Sequence, residues 1–184
     1  YYKVNRDLTI ETAKKAKNEG VDQFIFMSSI IVYGESSKIN EIRVITKDTI
    51  PEPTNFYGKS KLEAEAGIFK LENSNFKVIS IRPPMIYGKG SKGNYIKLSK
   101  VARKIPVFPD ISNERSMLHI DNLCEFIKIM IDNNEKGVFF PQNNEYVNTS
   151  EMVKVIGNIY NKKVMLVKVF NPIINLLSNR IGLI

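Results

Sequence analysis

Tyr57 and Lys61 lie four residues apart in the run Tyr57-Gly58-Lys59-Ser60-Lys61. On a helix that interval puts both side chains on one face, because four residues advance it by slightly more than one turn. A cation beside a phenol stabilises the phenolate, so the spacing predicts a Tyr57 proton that leaves nearer neutrality than the ordinary phenol value of about 10. Tyr57 is thereby a candidate acid/base. The pair alone says little, since any lysine-rich helix supplies one, and its weight comes from upstream. Val21 to Met27 contains the apolar run Phe24-Ile25-Phe26-Met27 and ends in Ser28-Ser29. This is the pattern of a buried parallel strand delivering small hydroxyls at its carboxyl end, where open α/β sheets bind ligands. A serine hydroxyl there can relay a proton beside a substrate oxygen, or it can simply cap a turn.

The elements that must position these groups follow a helix–strand rhythm. A helix is expected from about Asn5 to Glu19, stopped by Gly20, and a strand to Met27 comes after it. Residues 34 to 55, with Pro51 and Pro53, read as a long exposed loop. The Tyr57 helix then runs from about Phe56 to Leu71, and a second buried strand from Phe76 to Arg82 is closed by Pro83-Pro84. Such alternation predicts an α/β fold, a partial doubly wound parallel sheet. From Tyr87 to Met117 the rhythm breaks into a glycine-rich turn, a lysine-rich helix near Asn94 to Lys104 and the short segment Ile105 to Phe108. Asp121 is expected to cap a helix reaching about Asn133, with Leu123, Phe126, Ile127, Met130 and Ile131 on its apolar face. A strand at 137–140, a helix from Thr149 to Tyr160, a strand at 164–169 and an apolar helical tail from Asn171 to Leu183 complete the expectation.

Gly88-Lys89-Gly90-Ser91-Lys92-Gly93 spells a G-x-G-x-x-G run with Asp110 downstream, a combination that can mark a dinucleotide-binding turn. Two features argue against it. Pro83 to Tyr87 separates the run from the preceding strand, and Asp110 follows Phe108-Pro109 instead of ending a second strand. The run reads as a flexible loop on the substrate side.

Composition bounds the rest. The chain has 184 residues, 43% hydrophobic and 25% charged, with one cysteine and one histidine. One cysteine excludes an internal disulfide framework, and Cys124, in an apolar stretch, is expected to be a buried thiol of a reducing compartment. His119 and Cys124 at unrelated positions exclude a zinc-type metal site built from them, and His119 reads as structural. The net charge of +8 suits an anionic ligand, but the lysines are spread along the chain and no nucleic-acid-binding signature accompanies them. No apolar run approaches the roughly 20 residues of a membrane span. The opening Tyr1-Tyr2-Lys3, without methionine or leader, suggests a fragment, and a cytoplasmic location is expected.

In this order the motifs resemble a known family. Ser28-Ser29-x-x-Val32-Tyr33-Gly34, then Tyr57-x-x-x-Lys61 within Tyr57-Gly58-Lys59-Ser60-Lys61-Leu62-Glu63-Ala64-Glu65, then Arg82-Pro83-x-x-x-Tyr87-Gly88 are similar to the extended short-chain dehydrogenase/reductases, specifically the nucleotide-sugar epimerases and dehydratases of UDP-glucose 4-epimerase type. The likeness runs from Asn5 to about Glu151.

The resemblance implies a Rossmann-like cofactor-side part at 1–88 and 119–141, and a small α/β substrate-binding part at 89–118 and 142–184. It implies that the strand, glycine-rich turn and helix holding the NAD pyrophosphate belong upstream of Tyr1. Tyr57 would be the catalytic acid/base, Lys61 would hold the nicotinamide ribose and depress the Tyr57 pKa, and Ser29 would be the hydroxyl beside the sugar oxygen. Asn5, Ser28 and Pro83 would stand on the NAD side, and NADP is not excluded. Tyr33, Asn94, Phe108 and Arg115 would meet a nucleotide-diphosphate sugar, Arg115 through its bidentate fork. The intact protein is allowed a homodimer, with no nucleic-acid or membrane partner. Ile30 and Ile31 occupy the places where dehydratases carry acids, which argues against dehydration, while Met85 and Pro109-Asp110 depart from the common substrate-contact pattern and leave the sugar open. Epimerisation through a transient keto-sugar is therefore the expected activity. An NAD(P)-dependent reductase and a non-catalytic nucleotide-sugar-binding module are the alternatives.

Overall fold

The second strand of the chain, Lys77–Ile81, is the centre around which the first half folds. Val78, Ile79, Ser80 and Ile81 are all fully buried, as a parallel strand covered on both faces requires. In a computed structural model that describes residues 1–34 and 43–169, it is β2 and lies between β1 (Gln23–Met27) and β6 (Gly137–Phe139) in a parallel sheet ordered β1-β2-β6. Gln23 is opposite Lys77 and Met27 opposite Ile81 on one side, and Ile79 is opposite Gly137 on the other. Helices α1 (Thr9–Asn18) and α2 (Phe56–Phe69) cover one face. There Ala13, Ala64 and Ile68 meet Phe26, Phe76 and Val78 in one apolar cluster. Ile79 and Ile81 point to the other face by the two-residue alternation of a strand. Helix α4 (Ile120–Asp132) leads into β6 and sets Phe126 edge-on to Phe139. The fold is mixed α/β with parallel sheets, as expected.

Two compact units are present. The first is 1–35, 45–84 and 121–142; the second is 36–44, 85–120 and 143–184. In the second, β3 (Met85–Tyr87) pairs with β5 (Met117–His119), and β4 (Val107–Pro109) pairs with β7 (Met165–Val167), both in parallel. Helices α3 (Asn94–Ala102) and α5 (Thr149–Ile159) share a core of Ala102, Val153, Ile156 and Val164. β3 was not foreseen, and it pairs inside the second unit.

Several expectations are corrected. The first helix is a π-helical segment over Tyr2–Leu8 that passes into α1. Residues Ile30–Tyr33, to which the sequence reading assigned no element, form a 3-10 turn. β3 does deliver Gly88 directly and Asp110 does follow a strand, so the earlier grounds against a dinucleotide turn fall. A better one replaces them: β4 pairs with β7 and β3 with β5, so the two strands are not neighbours in one sheet. Cys124 is exposed, because α4 turns Leu123 and Met130 inward and leaves Cys124 and Ile131 outside. Residues 35–42 of the expected loop and the tail 171–183 lie outside the described residues.

Candidate active site

Three local arrangements in the first unit bring the predicted groups together. Asn55 caps α2, its side chain accepting from Gly58 N at 2.8 Å, which fixes where the helix begins and hence where Tyr57 points. The ends of β1 and β2 stay zipped beyond the strands: Ser28 N donates to Ile81 O at 2.8 Å and Ile30 N to Pro83 O at 3.1 Å. Ser29, in extended backbone, then caps the 3-10 turn, its Oγ accepting from Ile31 N at 3.3 Å. The cap orients a hydroxyl close enough to the Tyr57 phenol to favour its ionised form.

Lys61 shares the Tyr57 face, as the spacing requires, but its ammonium is not on the phenol oxygen. Nζ donates to Met27 O at 2.7 Å and lies 4.6 Å from the Phe26 ring centre and 5.9 Å from the Tyr57 ring centre. The expected depression of Tyr57 is corrected accordingly. Burial raises its pKa above 10.0, the Ser29 hydrogen bond pulls the other way, and nearby Tyr1 adds to the rise. Burial lowers the Lys61 pKa, against which Glu65, one turn further along α2, acts.

The remaining first-unit candidates are placed as follows. Asn5 sits in the π-helical segment and donates to Ser60 Oγ at 3.1 Å, which in turn donates to Tyr57 O at 2.8 Å. Asn5 thus braces the turn of α2 that carries the phenol. Pro83 is buried. Ser28 is 5% exposed, and its Oγ has no hydrogen-bond partner among the described residues. A buried hydroxyl seldom stays unpaired. At a strand end beside Ser29 it fits the polar edge of a bound cofactor. Tyr33 is only 1% exposed, with its hydroxyl engaged by Arg82.

The second unit holds the other candidates. Asn94 is the first residue of α3 and exposed. Phe108 packs partly against the α3–α5 core. Arg115 bridges to Val147 through backbone bonds of 3.0 and 2.9 Å. Its guanidinium, half-buried with a pKa lowered by burial, forms no ion pair with any acid among the described residues. His119 lies edge-on to Tyr87 at 5.1 Å, and a Cβ on Gly88, whose φ is +125°, would strike Ile120 Cγ2 at 2.6 Å and His119 Nε2 at 3.0 Å. Among the described residues no group of three His, Cys, Asp or Glu is placed to hold a metal.

Sequence reasoning missed a buried network beside the site. Glu65, 3% exposed, accepts from Ser80 Oγ at 2.8 Å and Arg82 Nε at 3.0 Å through Oε1, and from Arg82 Nη2 through Oε2. Arg82 Nη1 donates to Tyr33 Oη at 2.6 Å. The signal was present in the spacing, since Tyr57, Lys61 and Glu65 recur every fourth residue.

The NAD dependent epimerase/dehydratase family description matches residues 1–144. The chain belongs to that family. It is 36% identical over 163 residues to UDP-glucose 4-epimerase of Vibrio cholerae, covering 85% of this chain and 49% of the relative. It is 29% identical over 171 residues to N-acetyl-alpha-D-glucosaminyl-diphospho-ditrans,octacis-undecaprenol 4-epimerase of Escherichia coli O157:H7, covering 89% and 50%. In fold it is similar to UDP-glucuronic acid 4-epimerase from Bacillus cereus in complex with NAD, with a TM-score of 0.73 at 20% identity over 89% of this chain and 56% of that one. The chain spans about half the length of the curated relatives it matches.

Proposed function

We propose that the protein carrying this chain is an NAD-dependent epimerase of nucleotide-diphosphate sugars, oxidising a sugar hydroxyl to a ketone and reducing it again from the other face. The observation that carries the reading is the Tyr57–Lys61 face of α2 set at the carboxyl end of β1, where Lys61 Nζ donates to Met27 O at 2.7 Å and the Ser29 hydroxyl lies close enough to the phenol to favour its ionised form. The chemistry NAD supplies when bound is acceptance and return of a hydride. Tyr57 takes the hydroxyl proton directly or through Ser29, and gives it back on the reverse step. Lys61 holds the nicotinamide ribose, Ser28 and Pro83 face the nicotinamide end, and Asn5 acts by bracing α2 through Ser60. Arg115, half-buried and with no ion pair to an acid among the described residues, suits a diphosphate, with Asn94 and Phe108 as the neighbouring nucleotide contacts. The turn from Ser29 to Tyr33 carries no carboxylate, which favours epimerisation over loss of water.

In the full-length enzyme, with UDP-glucose as probe, Tyr57→Phe should lower kcat by at least about a hundredfold, the scale of a lost acid/base, with an unchanged far-UV circular dichroism spectrum. Undiminished turnover overturns the reading. Steady consumption of reduced cofactor during turnover, followed by its absorbance, would replace epimerase with reductase.

A further inference from the structure

We infer that Glu65, Arg82 and Tyr33 are positioning residues, a buried strut that keeps the Ser29 hydroxyl in register with Tyr57; the inference rests on the epimerase reading above. The strut begins on α2 at Glu65, eight residues after Tyr57, so its root shares the phenol's helical face. It crosses β2 at Ser80 and just beyond it at Arg82, and ends at Tyr33, the last residue of the turn that Ser29 opens. Both elements bearing the proton relay are therefore tied to one rigid group.

Stability is a weak explanation for such a network. Apolar side chains of the same volume commonly replace a buried ion pair at no loss, because desolvation consumes most of the attraction. Direction is the better one. Two contacts from Glu65 fix the plane of the guanidinium, and its central carbon lies 5.2 Å from the Tyr33 ring centre and 5.8 Å from that of Phe140. With that plane set, the two N–H groups of Nη1 can donate only within it, and one of them reaches Tyr33 Oη at 2.6 Å. From Tyr33 back to Ser29 the chain is a single turn, closed by Gly34 N to Ile31 O at 2.9 Å and by the Ser29 cap at 3.3 Å. A displacement of Tyr33 is passed to Ser29 with little slack. This assigns Tyr33, which the family resemblance placed against the substrate, a role inside the scaffold; a ring 1% exposed has almost no surface to offer a sugar.

The test is a double-mutant cycle in the full-length enzyme. Tyr33→Phe deletes one oxygen and keeps the ring. It should lower kcat by roughly ten- to a hundredfold, the cost of a misplacement of about 1 Å, with KM for the sugar changed less than about twofold. In the Ser29→Ala background the same change should cost nothing more, since it acts through Ser29. The Tyr57 phenol, followed by carbon-13 tyrosine NMR without substrate, should titrate higher in Tyr33→Phe, as in Ser29→Ala. Additive losses in kcat, or a Tyr57 titration unmoved by Tyr33→Phe, overturn the strut and leave the epimerase reading standing. If Tyr33→Phe does not fold, Glu65→Gln, which preserves shape and weakens the fork, goes through the same cycle with the same expected outcomes. Retained turnover in Tyr57→Phe defeats the epimerase reading instead, and the NMR titration still decides the strut.

Discussion

The phenol of Tyr57 starts from the unfavourable side of neutrality. Burial raises its pKa above 10.0, and only the Ser29 hydrogen bond opposes it, so the cofactor-free protein holds Tyr57 as the neutral acid. Lys61 does not reverse this, because its Nζ is given to Met27 O. The spacing of Tyr57 and Lys61 was legible in the sequence; the sign of the shift was not, since desolvation depends on what three-dimensional packing removes from water. The sign has a measurable consequence. A group whose folded pKa is raised contributes stability that is fully present below its unfolded value and lost as pH rises through the folded value. In the wild-type protein the Tyr57 signal should therefore titrate above 10.0 by carbon-13 tyrosine NMR. Relative to Tyr57→Phe, the wild type should lose unfolding free energy only as the pH climbs past that point. A Tyr57 titration below 10.0 in the cofactor-free protein would contradict the account. Lys61 has the opposite sign: its lowered value makes the charged form a cost at neutral pH, relieved as pH rises toward 10.5.

At the scale of elements, the relay depends on how closely α2 approaches the 3-10 turn, and Gly58 sets that approach. A Cβ there would meet Ile31 O at 2.8 Å and Pro53 Cβ at 2.9 Å. The first of these is backbone and already accepts from Gly34 N, so it has little room to retreat. Gly58→Ala would gain about 1 kcal/mol of helix propensity but overpack a tight contact at about 1–3 kcal/mol. The overpacking should win. A lower urea midpoint at unchanged m-value is expected, with kcat falling because Tyr57 is pushed from Ser29; an equal or higher midpoint would show that the contact has slack. This closeness explains which elements were readable. β1, β2, α4 and α5 announced themselves through buried runs or helical periodicity over five or more residues, and α2 through the spacing of Tyr57 and Lys61. β3 and β5 are three residues long and exist because they pair with each other, and three residues are too few to show a period. The turn at Ile30–Tyr33 is apolar enough to pass for the end of a strand, and the Ser29 cap and the Arg82–Tyr33 bond are what curl it.

For the whole molecule, the net charge of +8 is less evenly spread than the linear order suggests. Among the described residues the first unit carries 13 Lys and Arg against 13 Asp and Glu, and the second carries 12 against 4. The second unit also contains Arg115, half-buried and with no ion pair to an acid among the described residues, so its background potential and its best-placed guanidinium act in the same direction. A diphosphate bound there would draw on both, and the two respond differently to salt. Attraction by surface lysines is screened as the Debye length falls from about 10 Å to about 3 Å between roughly 0.1 M and 1 M salt, while a desolvated contact is screened far less. In the full-length enzyme, KM for a nucleotide-diphosphate sugar should accordingly rise several-fold over that range with kcat nearly constant, since Tyr57 and Ser29 belong to the neutral unit. Arg115→Gln should raise KM at every salt concentration by a similar factor, consistent with loss of a charge-assisted contact of about 1.5–3 kcal/mol, and leave the salt slope largely in place. A KM indifferent to salt would mean that the basic excess of the second unit contributes nothing to substrate capture. An Arg115→Gln effect that vanishes at high salt would place that side chain in open solvent, contrary to its burial.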